Sequence, residues 1–153
     1  MKKILFICTG NTCRSPMAAA LFNRLAALEP SGFGFEGISA GLAVSSPSPP
    51  SKNAVLALMD YPGSDLSTHT SRNATCADVY EAFLVLTMEP WHRQELLARC
   101  PEAYQKIFAL KEYIYGTPGG ISDPYGGSLS EYSKCAREIA QAIDKLIEKL
   151  RLG

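Results

Sequence analysis

A cysteine and an arginine stand with five residues between them in Cys8-Thr9-Gly10-Asn11-Thr12-Cys13-Arg14-Ser15, so that one short loop holds a nucleophile and a two-donor cation. Five intervening residues are enough to curl the backbone until its N–H groups converge on one centre, and Gly10 would allow a tight or left-handed turn there. A helix starting behind the loop adds its N-terminal N–H groups and the positive end of its dipole. Ser15-Pro16 is a helix-start signal, with proline in the first turn. Such a nest binds a tetrahedral anion. The same field is expected to lower the Cys8 thiol until it is a thiolate at neutral pH. Arg14 offers two parallel donors to two phosphoryl oxygens, which lysine cannot do. The chemistry implied is transfer of a phosphoryl group to sulfur. The spacing alone does not decide the matter, because cysteine is often a small buried hydrophobe and Cys-x5-Arg arises by chance.

That transfer needs an acid for the leaving group. Asp123-Pro124-Tyr125 stands in a Gly-rich stretch, where Pro124 stiffens the chain and Tyr125 can wall a pocket. Taken alone it reads as an ordinary Asp-Pro turn; beside the cysteine loop, each supports the other. His69, ahead of Thr70-Ser71-Arg72, is expected to support the loop structurally. His92, after Trp91 on a helix start, is expected at the surface. Lys145, Glu148, Lys149 and Arg151 read as a solvated helix face.

The elements that must position these groups alternate. Ile4–Cys8 is a continuous apolar run, as in a strand buried on both faces. Helical periodicity runs from about Ser15 to Leu28. Phe35–Ala40 is a second strand ended by Gly41. Ser45–Ser51, rich in Pro and Ser, is a loop ahead of a helix over Lys52–Met59, which Tyr61-Pro62-Gly63 stops. Ala82–Met88 is a third strand, and Glu89-Pro90 opens a helix to about Arg99. Ile107–Leu110 is a short fourth strand. Thr117–Gly127 is an irregular loop, and Ser130–Leu150 a long amphipathic helix with Ile139, Ile143, Leu146 and Leu150 on one stripe. The pattern predicts an α/β fold: a three-layer, doubly wound, four-stranded parallel sheet with helices on both faces. Ligands of such folds bind beyond the carboxyl ends of the strands, where the Thr9–Arg14 loop falls.

With 153 residues the chain suits one domain over 1–153, and 46% hydrophobic with 20% charged residues is a folded composition. Fifteen Lys plus Arg balance fifteen Asp plus Glu, which argues against a nucleic-acid partner. No stretch approaches a membrane span of roughly 20 apolar residues. The run after Met-Lys-Lys is too short for a signal segment. The five scattered cysteines, Cys8, Cys13, Cys76, Cys100 and Cys135, do not suggest a disulfide framework or a zinc site. Reduced thiols and a cytoplasmic location are expected.

At Cys8 through Pro16, at Ser39-Ala40-Gly41 and at Asp123-Pro124, the sequence resembles the low-molecular-weight protein-tyrosine-phosphatase family, in the same order of elements along the whole chain. The resemblance implies that Cys8 forms a phosphocysteine. Arg14 and the loop amides of Thr9 through Ser15 would then bind the phosphoryl oxygens. It further implies that Asn11 props the loop, the Ser15 hydroxyl holds the thiolate, and Asp123 protonates the leaving atom and then activates water. No metal or cofactor is implied. Cys13 either traps oxidised Cys8 as a reversible disulfide or simply packs. Thr12, where tyrosine phosphatases of the family commonly carry an aliphatic residue, resembles the protein-arginine-phosphatase branch. So do Asp123-Pro124-Tyr125-Gly126-Gly127 and Phe108–Tyr113. The substrates implied are phosphorylated proteins, through phosphoarginine or alternatively phosphotyrosine. A hydroxyl at Thr12 tolerates a polar guanidinium; the plainer reading is a small β-branched residue that fits the loop. Tyr125 could stack on either substrate. A thiol-coupled arsenate reductase would need two further neighbouring cysteines, and Cys76 and Cys100 are 24 positions apart. A non-catalytic phosphate-binding module is the third reading.

Overall fold

A computed structural model describes residues 1–153. The first strand, β1 (Lys2–Cys8), is the centre of the design. Its side chains alternate across the sheet: Ile4, Phe6 and Cys8 face one apolar layer, Leu5 and Ile7 the other. Burial on both faces is why the run is continuously apolar rather than alternating. β2 (Phe35–Gly41) and β3 (Leu84–Thr87) pair in parallel with its two edges, and β4 (Ile107–Ala109) pairs with β3, giving the order β2-β1-β3-β4.

On one face lie α1 (Arg14–Ala26), α2 (Lys52–Ala57) and the long α6 (Leu129–Leu152). On the other lie α3 (Cys76–Glu81), α4 (Pro90–Arg99) and a 3-10 turn over Pro101–Lys106. The three-layer, doubly wound parallel sheet is therefore the observed fold. In α6 the Ile139, Ile143 and Leu146 stripe is fully buried against α1 and α2. Strand order reverses at β1, so the loop after Cys8 opens at the carboxyl edge where the crossovers diverge.

Two short helices escaped the sequence reading, α3 and α5 (Leu110–Tyr115). Each has six residues, too few for a periodic stripe to declare itself. The predicted solvated face of α6 is also less simple. Arg151 pairs with Glu29 through two bonds of 2.6 and 2.8 Å, and Lys149 sits 4.2 Å from the centre of the Tyr113 ring.

The expectation of uniformly reduced thiols fails for one pair. Cys76, first residue of α3, and Cys100, just after α4, form a disulfide with Cα atoms 5.7 Å apart. The separation of 24 positions concealed it, because both helices pack on the same sheet face and bring their near ends together. Cys8, Cys13 and Cys135 are free and buried. No helix is long and apolar enough to cross a membrane.

Candidate active site

The chain leaves β1 at Cys8 and enters α1 at Arg14, and between them the backbone wraps around the Cys8 sulfur. The Asn11 N–H donates to Sγ at 3.2 Å, and the Ser15 hydroxyl lies 2.9 Å from it. The turn is made at Asn11, whose φ is +56°, and not at Gly10, whose φ is not positive. Asparagine tolerates this left-handed region because its short polar side chain bonds locally. Here that side chain is fully used. Its Nδ2 donates to Ser15 Oγ (2.8 Å) and Ser39 Oγ (3.0 Å), and its Oδ1 accepts from the Arg72 N–H at 3.0 Å. The Asn11 carbonyl lies 2.7 Å from His69 Nε2, so His69 does brace the loop.

Gly41 at the end of β2 belongs to this bracing. A Cβ there would meet the Thr9 carbonyl at 2.7 Å and Asn11 Cβ at 3.0 Å, so only glycine lets β2 end this close to the loop. Gly120 also packs closely, since a Cβ there would fall 3.0 to 3.1 Å from Glu89 and the Met88 carbonyl.

Arg14 is 2% exposed, although it is the cation of the site. Its Nη1 donates to Glu89 Oε2 at 2.6 Å and to the Ile121 carbonyl at 2.7 Å; its Nη2 lies 3.5 Å from Asp123 Oδ2. The guanidinium is thus oriented by three elements: the start of α4, the chain before the acid loop and the acid loop itself. Asp123 is exposed, and its Oδ1 accepts from the Tyr125 N–H at 3.1 Å. Tyr125 is 75% exposed at the rim.

Cys8, Thr9, Gly10, Asn11, Thr12, Cys13, Arg14, Asp123 and Tyr125 all line one pocket. Ser15 lies beneath it, wholly buried, touching Cys8 and Asn11. The other wall is Ala43–Ser46 with Ser48 and Ser71. The loop geometry and its companions match a known family. Residues 3–152 fit the model of the low molecular weight phosphotyrosine protein phosphatases. The chain belongs to that family. A protein-arginine-phosphatase of Geobacillus stearothermophilus is 39% identical over 149 residues, covering 97% of this chain and 96% of that one. Among solved structures, a low molecular weight protein tyrosine phosphatase from T. tengcongensis is 42% identical with a TM-score of 0.89 and covers 97% of this chain and 99% of its own. A mutant YwlE arginine phosphatase with a phosphorylated active-site serine superposes with a TM-score of 0.90 at 36% identity, over 97% of this chain and 95% of that one. Membership makes the chain a cysteine-dependent protein phosphatase.

Within this family fold, two of the sequence expectations need correction. Burial pushes the Cys8 thiol above its ordinary value; the Ser15 hydroxyl, the Ser15 and Asn11 amides and the charge on Arg14 pull it down but do not outweigh burial. The net lowering expected from the loop field is therefore not found for the thiol by itself. His92 is not at the surface: it is 0% exposed, its Nδ1 accepting from the Glu89 N–H and its Nε2 3.0 Å from Thr9 Oγ1. Cys13, for which the redox and packing readings both stand, is buried with its Sγ 3.0 Å from Ser51 Oγ and 3.3 Å from the Tyr132 hydroxyl.

Glu89, Ser51, Tyr132 and the Ala43–Ser48 wall were missed as parts of the site. Glu89 carried one usable clue. It follows the third strand, and residues just beyond the carboxyl ends of strands face the ligand edge. Ser51 and Tyr132 carried none, since only tertiary packing brings α2 and α6 to Cys13.

Proposed function

We propose that this chain removes phosphate from phosphoarginine in proteins, through a phosphocysteine on Cys8. The observation that carries the reading is the convergence of Cys8 Sγ, the Asn11 amide, the Arg14 guanidinium and Asp123 on one pocket. The phosphoryl oxygens sit among the loop N–H groups of Thr9 through Ser15 and the Arg14 guanidinium, the start of α1 adding its dipole. The Cys8 thiol proton passes to the phosphoryl dianion, which conserves the charge in the loop, and the sulfur attacks phosphorus. The S–P bond forms as the P–N bond breaks, and Asp123 gives its proton to the departing nitrogen. Asp123, now a carboxylate, takes a proton from water; the hydroxide oxygen attacks phosphorus and the S–P bond breaks, releasing phosphate. Asn11 and Ser15 keep the loop wrapped around sulfur throughout. When a peroxide converts Cys8 to its sulfenic acid, the Cys13 thiol condenses with it, releasing water, and a thiol reductant reopens the resulting disulfide.

The preference for arginine rests on Thr12 at the pocket wall and on the wall opposite. Ser45, Ser46, Ser48 and Ser71 line the pocket, and a polar lining of this kind suits a planar, multi-donor guanidinium better than an aryl ring. The Geobacillus relative's name points the same way. Tyr125, whose exposed ring at the rim can stack on a guanidinium or on an aryl ring, does not separate the arginine reading from the tyrosine alternative. The arsenate reductase reading loses its earlier objection, since Cys76 and Cys100 do meet. It gains nothing from that, because neither lines the pocket. We place the enzyme in the cytoplasm, as one domain over residues 1–153.

The test is to compare kcat/KM for a phosphoarginine peptide and the matching phosphotyrosine peptide. A ratio above unity supports the arginine reading; equal or tyrosine-favoured rates defeat it. Thr12→Ile is expected to move the ratio toward the aryl phosphate by about tenfold, as one mispaired polar contact would. An unmoved ratio removes Thr12 from the account.

A further inference from the structure

The connection from β3 to α4 turns at Met88-Glu89 and puts His92 in the first turn of α4, directly behind the cysteine loop. The imidazole there is sealed from solvent and touches hydrogen-bonding groups on two sides. On one side the Glu89 N–H donates to Nδ1 at 3.0 Å, so Nδ1 presents its lone pair. In a neutral imidazole the proton is then on Nε2. Burial and the charge on Arg14 push the ring down to about 4, so neutral imidazole is the form present at neutrality. On the other side Nε2 is 3.0 Å from Thr9 Oγ1. Nε2–H is the donor and the Thr9 oxygen the acceptor.

The consequence falls on Thr9. Its hydroxyl makes no other hydrogen bond within the protein, and the residue lines the same pocket as Cys8, Arg14 and Asp123. With the oxygen taken by Nε2–H, the hydroxyl proton points away from the ring and is left for another acceptor, and the residue that carries it lines the pocket. Its backbone cannot drift, because the Thr9 carbonyl accepts from the N–H groups of Leu42 and Ala43, both at 3.0 Å.

We propose that His92 is a positioning residue of the reaction, fixing the Thr9 hydroxyl as a hydrogen-bond donor aimed at the anionic oxygens of the pocket. This rests on the phosphatase reading above. The donated bond goes to a phosphoryl oxygen or to the Asp123 carboxylate, and it exists only while the imidazole holds the hydroxyl by its oxygen. Without that hold the hydroxyl rotates, and the donor is lost to the reaction part of the time.

Four variants and their double mutant separate this from a structural role. Thr9→Val removes the hydroxyl at constant shape, and Thr9→Ser keeps it. His92→Asn keeps an acceptor for the Glu89 N–H but stops short of Nε2, whereas His92→Gln carries an amide donor out to Thr9. On an aryl phosphate, Thr9→Val and His92→Asn should each lower kcat/KM about tenfold, the size of one hydrogen bond to a charged group. Thr9→Val/His92→Asn should fall no further than either alone, since both remove one interaction. Thr9→Ser and His92→Gln should recover most of the loss. Calorimetry with inorganic phosphate then locates the acceptor: weakened binding places it on the phosphoryl group, and unchanged binding with lowered kcat places it on Asp123. Thr9→Val within twofold of wild type would overturn the proposal, as would additive losses in the double mutant or a His92→Gln no better than His92→Asn. Should the His92 variants not fold, Thr9→Val against Thr9→Ser still decides whether the hydroxyl acts. If the wild-type protein turned over no phosphate ester, the phosphatase reading would fall, while the phosphate titrations would still report on Thr9.

Discussion

The wall formed by Ala43–Ser48 and the loop carrying Asp123 face each other across the pocket but are held by different means. The wall is tied along its length. The Ala43 N–H donates to the Thr9 carbonyl, and Asn73 bonds both the N–H and the carbonyl of Val44, at 2.8 and 2.9 Å. Ser71 likewise bonds both backbone groups of Ser48. The stretch 69–74 that makes these bonds also holds Asn11, through His69 and Arg72, so wall and loop share one support. That support runs into α3, which the Cys76–Cys100 disulfide clamps to the end of α4. The acid loop's bonds are mostly to itself: Tyr125 N–H to Asp123, and Gly127 N–H to the Pro124 carbonyl. Its ties elsewhere are few and long: the 3.5 Å pair of Asp123 with Arg14, a 3.3 Å bond from Asn53 and a 3.8 Å contact from Cys135. Anion binding rewards a cradle that is finished before the anion arrives, because no reorganisation is then charged to the reaction. Proton delivery rewards a carboxyl that can follow the leaving atom, and loosely tied segments are where such motion is found.

Cys8→Ser, on the fixed side, breaks the contrast most severely. Turnover should fall by more than about 10^4-fold while phosphate still binds, because the amides and Arg14 remain. Retained turnover would end the covalent mechanism. On the loose side, Asp123→Asn should cost about 10^2- to 10^4-fold in kcat, with KM little changed. The loss should deepen as the leaving group becomes more basic; a loss independent of leaving group would mean that Asp123 is not the acid. Opening the disulfide with dithiothreitol tests the shared support. Closing a loop of this length contributes about 3.5 kcal/mol through the unfolded chain, so the denaturant midpoint should drop. Turnover of a small aryl phosphate at 25 °C should hardly change.

His92 sharpens the contrast from behind the loop. Its imidazole is lowered from 6.5 to about 4 in the folded protein. As pH falls below 6.5 the unfolded chain takes up the proton first, so stability is lost progressively and levels off below about pH 4. The loss should total about 3 kcal/mol. Denaturant curves at pH 7 and pH 4 for the wild type and His92→Gln check this: the variant should lack that part of the slope.

Much of this was legible along the chain. β1 announced itself because a strand buried on both faces must be apolar at every position, and Cys8-x5-Arg14 followed it directly. The loop's own residues, Asn11 through Ser15, act within a few positions of one another, so spacing sufficed to bring them together. The turn was misplaced at Gly10 because glycine's freedom is general, while Asn11 is held at φ +56° by partners from β2 and from residues 69–72. Those partners are invisible to local reading. The same holds for His92, whose position on a helix start says nothing of the loop it packs behind.

What the sequence determined by itself was the order of the four strands and the longer helices, the sheet edge at which the cysteine loop opens, and the Cys, Arg and Asp proposed as nucleophile, cation and acid, with their chemical types. These follow from local periodicity and from side-chain chemistry that is the same in any surroundings. Only the tertiary structure decided that Glu89 orients Arg14, that Cys76 meets Cys100, that Ser51 and Tyr132 attend Cys13, and that burial raises the Cys8 thiol. Each of these depends on distances between segments tens of residues apart and on how much water their packing excludes, and neither quantity is written in any short stretch of the chain.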